Sequence, residues 1–291
     1  ESKLREDNGI SMVSANEINT VIQTNKLNND EFFQQEIKEK PLLLIVEDNK
    51  DVIDYLSEIL KEHYFIEFAP NGAAGLEKAL KIIPDIILSD VMMPQMDGFE
   101  MLKSLKEDFR TDHIPVILLT ARGDFNSKIS GLEIGADHYL VKPFHEKELL
   151  LKLNNLIEAR KKMQKHLSSL NTESYNTNTQ YKHELKFISK INSVIEENLQ
   201  DEDFDVLVLC SLLNMSRAQL YRKFTAITNI SIGRYLRSYR LQKAKLLIET
   251  KGLNVTEAAF ASGFKNLSHF SDIFHEEFDI APSEIKKIKP D

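Results

Sequence analysis

Three carboxylates, a hydroxyl and an ammonium are spaced through the first half of this sequence so that one sheet edge would gather them. Glu47 and Asp48 follow the apolar run LLLIV at 42–46. Asp90 follows DIILS at 85–89, Thr120 closes VILLT at 116–120, and Lys142 follows HYLV at 138–141. In an open α/β sheet, groups at the carboxyl ends of strands converge on a crevice. Clustered carboxylates repel one another, so they need a divalent cation or suffer raised pKa values. An oxygen-only set without nearby His or Cys favours Mg²⁺, which keeps several waters and accepts a phosphoryl oxygen. A carboxylate beside such an ion can attack phosphorus and become an acyl phosphate, with Lys142 as a positive partner and Thr120 as a donor. Asp48 or Asp90 taken singly would read as a helix N-cap or a solvated strand end. A lysine directly before Pro143, together with a threonine at a matching strand end, makes the joint pattern the better account.

The runs at 42–46, 64–68, 85–89, 116–120 and 138–141 have the length and apolar content of strands buried on both faces. Amphipathic stretches separate them: Val52, Ile53, Leu56, Ile59 and Leu60 share one helical face, as do Leu149, Leu150, Leu153, Leu156 and Ile157. Alternation of this kind implies a parallel sheet with right-handed crossovers. Residues 41–162 are therefore read as one α/β domain. Residues 1–40 lack a sustained period and read as a linker or extension, and the polar stretch around 168–180 places a second linker at 163–182.

The motifs VEDN, LSDVMMPQMDG, LLTA and YLVKPF, in this order over residues 41–160, resemble the response-regulator receiver family. The resemblance implies a five-stranded parallel sheet of flavodoxin-like order 2-1-3-4-5. It makes Asp90 the phosphoacceptor, with Mg²⁺ held by Glu47, Asp48, Asp90 and the backbone carbonyl of Met92. Thr120 and Tyr139 would be the switch pair and Lys142 the phosphoryl-binding lysine. The family often has Asp where Glu47 stands, and Glu keeps the charge. By the same resemblance a histidine kinase donates the phosphate, the face around the fourth and fifth helices responds, and receivers pair as a homodimer.

From residue 183 onward the apolar spacing is helical, punctuated by Asn214, Asn229, Gly252, Gly263 and Pro282. MSRAQLYRKF (215–224) opens with Ser216 and places Gln219 three residues later, the spacing of a capping box. A short helix (205–213) and a turn precede it, which is a helix-turn-helix layout. Arg217, Gln219 and Arg222 suit base edges, and Lys223 suits a phosphate. A long helix at 231–250 carries Arg234, Arg237 and Arg240. A second short helix, glycine turn and helix follow at 255–278, where Phe270, Phe274 and Phe278 recur every four residues.

MSRAQLYRKF, RLQKAKLLI, ASGFKNLSHFSDIF and FDIAPSEI resemble the AraC-type DNA-binding domain over about residues 185–288. The resemblance implies an all-α domain over 183–291 with two helix-turn-helix units joined by the long helix. Each unit would enter one of two adjacent major-groove segments, about one turn or ~10 bp apart. Ser216, Arg217, Gln219, Arg222, Lys223 and Arg237 would bind DNA, with Lys265, Ser268 and His269 in the second unit. Asn214, Asn229 and Asp279 stand where the family usually has glycine, at turns where φ > 0 is expected and where Asn and Asp are the next most tolerant residues.

Charge is partitioned along the chain. The net value of −8 conceals 13 Lys and Arg against 21 Asp and Glu over 41–160, and nine Lys and Arg against Glu249 alone over 211–251. A concentrated basic block on an acidic body fits a polyanion met locally. Residues 252–291 hold four Lys and Arg against seven acids, so phosphate attraction is expected mainly from the first unit. One cysteine, Cys210, and no apolar run of membrane-spanning length point to the cytoplasm. No histidine shows metal-ligand spacing.

Together these readings describe a phosphorylation-dependent transcription regulator of a two-component system, not an enzyme. A receiver on a degenerate helical module that binds protein is the alternative, supported by the acidic second unit. An aspartate-nucleophile phosphatase fits less well, because Met92 stands where that class has its second acid. The order receiver then AraC-type domain resembles the C-terminal part of Bacteroidetes hybrid two-component systems. It carries the expectation of a kinase before Glu1 in the same polypeptide, with the full-length protein anchored in the inner membrane.

Overall fold

A computed structural model describes residues 40–121, 135–167 and 182–285. Five parallel strands form one sheet in the order β2-β1-β3-β4-β5: β1 (Leu42–Val46), β2 (Phe65–Ala69), β3 (Ile86–Asp90), β4 (Val116–Ala121) and β5 (His138–Lys142). The expected strand order is observed, and each strand begins within a residue of its apolar run. Successive side chains alternate between faces, which divides the interior in two. Leu44, Val46, Ile87, Val116 and Leu118 pack under α2 (Gly72–Ile82) and α3 (Gly98–Glu107). Leu43, Ile45, Leu88, Ile117 and Leu119 pack under α1 (Lys50–Leu60) and α4 (Glu146–Leu167).

Local chemistry starts these helices. Asn49 caps α1 through Asp51 N at 2.9 Å, Asn71 caps α2 through Ala74 N, and Asp97 and Glu100 form a capping box on α3. The expected helix between β4 and β5 falls in 122–134, outside the described residues, and so does its share of the responsive face. Helix α4 runs through Leu167, five residues into the stretch expected to be a linker. The sequence EARKKMQKHL is made mostly of good helix formers, so nothing stops the helix at 162. The remaining linker (168–181) and residues 1–39 also fall outside.

The second domain is all helical: α5 (Lys182–Glu197), α6 (Val206–Leu212), α7 (Arg217–Thr228), α8 (Ile232–Lys251), α9 (Val255–Ala261) and α10 (Leu267–Phe278). It has two cores joined by α8. The front half of α8 supplies Tyr235, Leu236 and Tyr239 to a core with Leu209, Leu220 and Phe224. Its rear half supplies Leu241, Ala244 and Ile248 to a core with Phe270 and Phe274. Ser216 and Gln219 form the expected reciprocal capping box. Asn214, Asn229 and Asp279 adopt φ of 53°, 60° and 58°, the left-handed positions anticipated for them.

Candidate functional site

The carboxyl edge of the sheet assembles the acidic group. Glu47, Asp48 and Asp90 each present an oxygen within 4.8 Å of the others. Lys142 lies between two of them, with Nζ 2.8 Å from Glu47 Oε2 and 3.2 Å from Asp90 Oδ1. Glu47 is only 1% exposed, and burial raises its pKa while Lys142 pulls in the opposite direction. Asn49 N donates to its other oxygen at 3.3 Å. Asp90 is held in place by its own loop, with Val91 N donating to Oδ1 at 2.9 Å.

This donor set fits a hard divalent cation. Three carboxylates within ligand distance of one another carry more negative charge than one ammonium offsets, and every donor is oxygen. Glu47, Asp48 and Asp90 would hold the ion. Met92, whose carbonyl the family resemblance implicates, follows in the same loop with its side chain 71% exposed.

Thr120 and Tyr139 lie on adjacent strands. Leu118 pairs with Tyr139 in the β4–β5 register, and Thr120 is two residues further along, so both side chains project to the same face. Both are buried. Among the described residues the Tyr139 hydroxyl has no hydrogen-bond partner, and burial pushes its pKa up to about 12. A buried unpaired hydroxyl is costly, so this side chain gains by any rearrangement that gives it a partner.

Gly98 closes the LSDVMMPQMDG motif, and spacing alone assigns it no role. A Cβ there would stand 2.3 Å from Asp90 O and 3.0 Å from Val91 Cα. The glycine lets α3 begin against the backbone of the Asp90 loop.

The helical candidates are distributed less simply. Lys265, Ser268 and His269 are exposed on or just before α10, with Lys265 ion-paired to Asp203. Ser216 and Arg217 are exposed at the start of α7, and Arg237 is half-buried on α8. Gln219, Arg222 and Lys223 instead face the receiver. Gln219 donates to Leu80 O, Arg222 to Ile82 O, and Lys223 to Phe109 O and to Asp112 Oδ1, the last at 2.6 Å. Lys223 was expected to meet a phosphate. At 1% exposure it does not do so in this arrangement, because tertiary packing has given its ammonium an internal carboxylate.

Other members of the basic block are also engaged internally. Arg240 donates to Phe204 O at 2.8 Å, Lys243 pairs with Glu196, and Lys245 lies over the Phe278 ring. Asp112, Phe109 and Gln164, which touch the helical domain, carried no signal in the sequence. Their partners are over 50 residues away, and neither motif nor periodicity connects them.

Among family models, that for the response regulator receiver domain matches residues 43–154, and that for a helix-turn-helix domain matches 209–288. A protein called histidine kinase P4 from Formosa agariphila is 37% identical over 247 residues, covering 85% of this chain and 18% of that protein. The transcriptional regulatory protein CpxR homolog of Haemophilus influenzae is 34% identical over 172 residues, covering 59% of this chain and 72% of that protein. A solved putative response regulator from Chloroflexus aurantiacus is 35% identical, covering 41% of this chain and 99% of that one, with a TM-score of 0.40. This chain thus spans under a fifth of the histidine kinase it matches. Among the described residues no helix is long and apolar enough to cross a membrane.

Proposed function

Since the chain belongs to the response regulators, as a receiver domain followed by an AraC-type helix-turn-helix domain, we propose that phosphorylation of Asp90 controls its binding to DNA and thereby transcription. The observation that carries this is the convergence of Glu47, Asp48, Asp90, Lys142 and Thr120 at one sheet edge. In that pocket an Asp90 oxygen attacks the phosphorus of the donor. The donor's nitrogen, that of a kinase phosphohistidine, departs with the electron pair of the broken P–N bond. Lys142, already 3.2 Å from Asp90 Oδ1, stays beside the new acyl phosphate and offsets its charge. The Thr120 hydroxyl donates to a phosphoryl oxygen, and Tyr139 moves into the space that this opens. Bound Mg²⁺ would neutralise the carboxylates and the incoming phosphoryl group. This stretch accepts a phosphoryl group and passes a signal; it does not turn over a substrate.

Paired receivers would hold two helix-turn-helix domains together and raise occupancy without new base contacts. A kinase in the same polypeptide is the donor that the Formosa relative suggests. The shared chain would then be a membrane-anchored sensor whose C-terminal part works in the cytoplasm.

Two measurements test the parts separately. Mg²⁺ at a hundredfold excess over its Kd should add about 2.7 kcal/mol of stability. Asp48→Asn removes an exposed ligand without disturbing the core, so it should erase most of that gain; an undiminished gain would remove Asp48 from the site. Binding to promoter DNA should weaken steeply with salt, on the order of a thousandfold between about 50 and 200 mM if six or more phosphates are met. A gel shift that is absent, or indifferent to salt, would favour a protein-binding helical module instead.

A further inference from the structure

The two cores of the helical domain have no residue in common and meet along α8, which passes from one to the other between Tyr239 and Leu241. Arg240 stands at that division, and its side chain leaves the helix to join the two units. Nη2 donates to Phe204 O at 2.8 Å and to Asp201 O at 3.3 Å, in the loop between α5 and α6 of the first unit. The same guanidinium lies against the α9–α10 turn of the second unit, where Gly263 has φ of 78°. A Cβ at Gly263 would stand 2.5 Å from Leu199 O, 3.0 Å from Arg240 Nη2 and 3.1 Å from its Cζ. Loop carbonyl, guanidinium and glycine backbone thus meet with no room for a methyl group. The Lys265–Asp203 pair crosses the same gap, but both side chains are open to water and such a pair adds little. Burial lowers the pKa of Arg240, against the pull of Asp201 and Asp205. A hydrocarbon side chain would fill this space without that penalty, so packing alone does not account for an arginine here.

We propose that Arg240 is a positioning residue: it locks the two helix-turn-helix units in one mutual orientation and so sets the spacing between the two DNA segments they read. The proposal rests on the reading of both units as DNA readers. Long helices bend, and nothing in a bare helix prevents it. The 20 residues of α8 span about 30 Å, so each unit rides on a lever of about 15 Å. A bend of about 20° at the middle would shift one unit by about 5 Å against the other. That exceeds the ~3.4 Å rise of one base pair, so an unbraced α8 would accept more than one spacing. Tying the first unit's loop to the second unit's turn beside the midpoint opposes the bend.

The test uses the full chain, incubated with acetyl phosphate and Mg²⁺, and a pool of random-sequence duplexes from which bound sites are recovered and sequenced. Arg240→Met opens the joint by removing the fork while keeping a long side chain. Gly263→Ala wedges it open from the other side. Gly252→Ala is the control, because it brings the same left-handed strain with nothing within 4 Å of the added carbon. Wild type and Gly252→Ala should recover two motifs at a single spacing, about one turn apart. Both joint variants should recover the same motifs spread over neighbouring spacings. Their affinity for the wild-type two-motif site should fall about tenfold, because a looser link lowers the effective concentration of the second unit at its groove. Affinity for a duplex carrying the first motif alone should not change. Should Gly263→Ala fail to fold, Arg240→Met and the milder Arg240→Lys carry the comparison. A single unchanged spacing in the joint variants, or an equal loss on one-motif and two-motif duplexes, would overturn the role of Arg240 and leave DNA binding intact. Recovery of one motif or none by the wild-type chain would sink the reading of both units as DNA readers, and the spacing role with it.

Discussion

Replacing Asp90 by Asn is expected to abolish phosphate incorporation from acetyl phosphate or a histidine kinase, with intact mass as the readout. An amide oxygen is a far weaker nucleophile than a carboxylate, and none of the other carboxylates can take its place. Glu47 is buried and committed to Lys142 at 2.8 Å, and Asp48 is the solvent-exposed member of the cluster. The folded chain should tolerate the change. Asn keeps the oxygen that accepts from Val91 N, and one fewer carboxylate relieves repulsion within the cluster. Labelling that persists in Asp90→Asn would move the acceptor elsewhere and overturn the assignment of the pocket. Loss of labelling together with loss of fold would be seen by circular dichroism, which is expected to match wild type.

Gly98→Ala is expected to be the most damaging conservative change near the site. The added carbon would meet Asp90 O at 2.3 Å, Val91 Cα at 3.0 Å and Asp90 C at 3.2 Å, all backbone atoms that no rotamer change can move. Gly98 N also donates to Val91 O at 2.9 Å, so the helix start cannot retreat without losing that bond. Overpacking costs typically about 1–3 kcal/mol, and a backbone collision belongs at or above the upper end, about 3 kcal/mol. Because the displaced loop carries Asp90, Mg²⁺ affinity should fall along with stability. Gly252→Ala provides the contrast. That glycine ends α8 with φ of 66° and nothing within 4 Å of the added carbon, so only left-handed backbone strain applies, about 1–2 kcal/mol. Urea unfolding at constant m-value measures both. Equal midpoints for Gly98→Ala and wild type would show that the loop yields freely and that the close approach carries no energetic weight.

Much of the pocket was legible from one strand of reasoning. Buried strands announce themselves by apolar runs, polar residues at their ends must leave the core, and parallel strands put all those ends on one edge. Glu47, Asp48, Asp90, Thr120 and Lys142 follow from that, and the structure brings all five to the same edge. Thr120 and Tyr139 were paired by the family resemblance alone, and the register adds that their side chains share one face. The need for Gly98 required coordinates, because a close backbone approach leaves no trace in spacing or hydropathy.

The helical domain divides along the same line. Its helices were legible through their caps, as Ser216 with Gln219 and the left-handed Asn229 show, since those bonds join residues a few positions apart. The destination of its charges was not. A count of nine cations in 211–251 treats each as solvent-facing, yet Arg240, Lys243 and Lys223 all bind groups inside the chain. Period, capping and the polarity of strand ends are local, so the elements and the strand-end chemistry could be read along the chain, and the resemblance of LSDVMMPQMDG to the receiver family singled out Asp90 as candidate phosphoacceptor. Which cations stay exposed and where α7 docks came from packing. Lys223 and Asp112 meet across 111 positions of chain, and at that separation partners are chosen by packing, not by pattern.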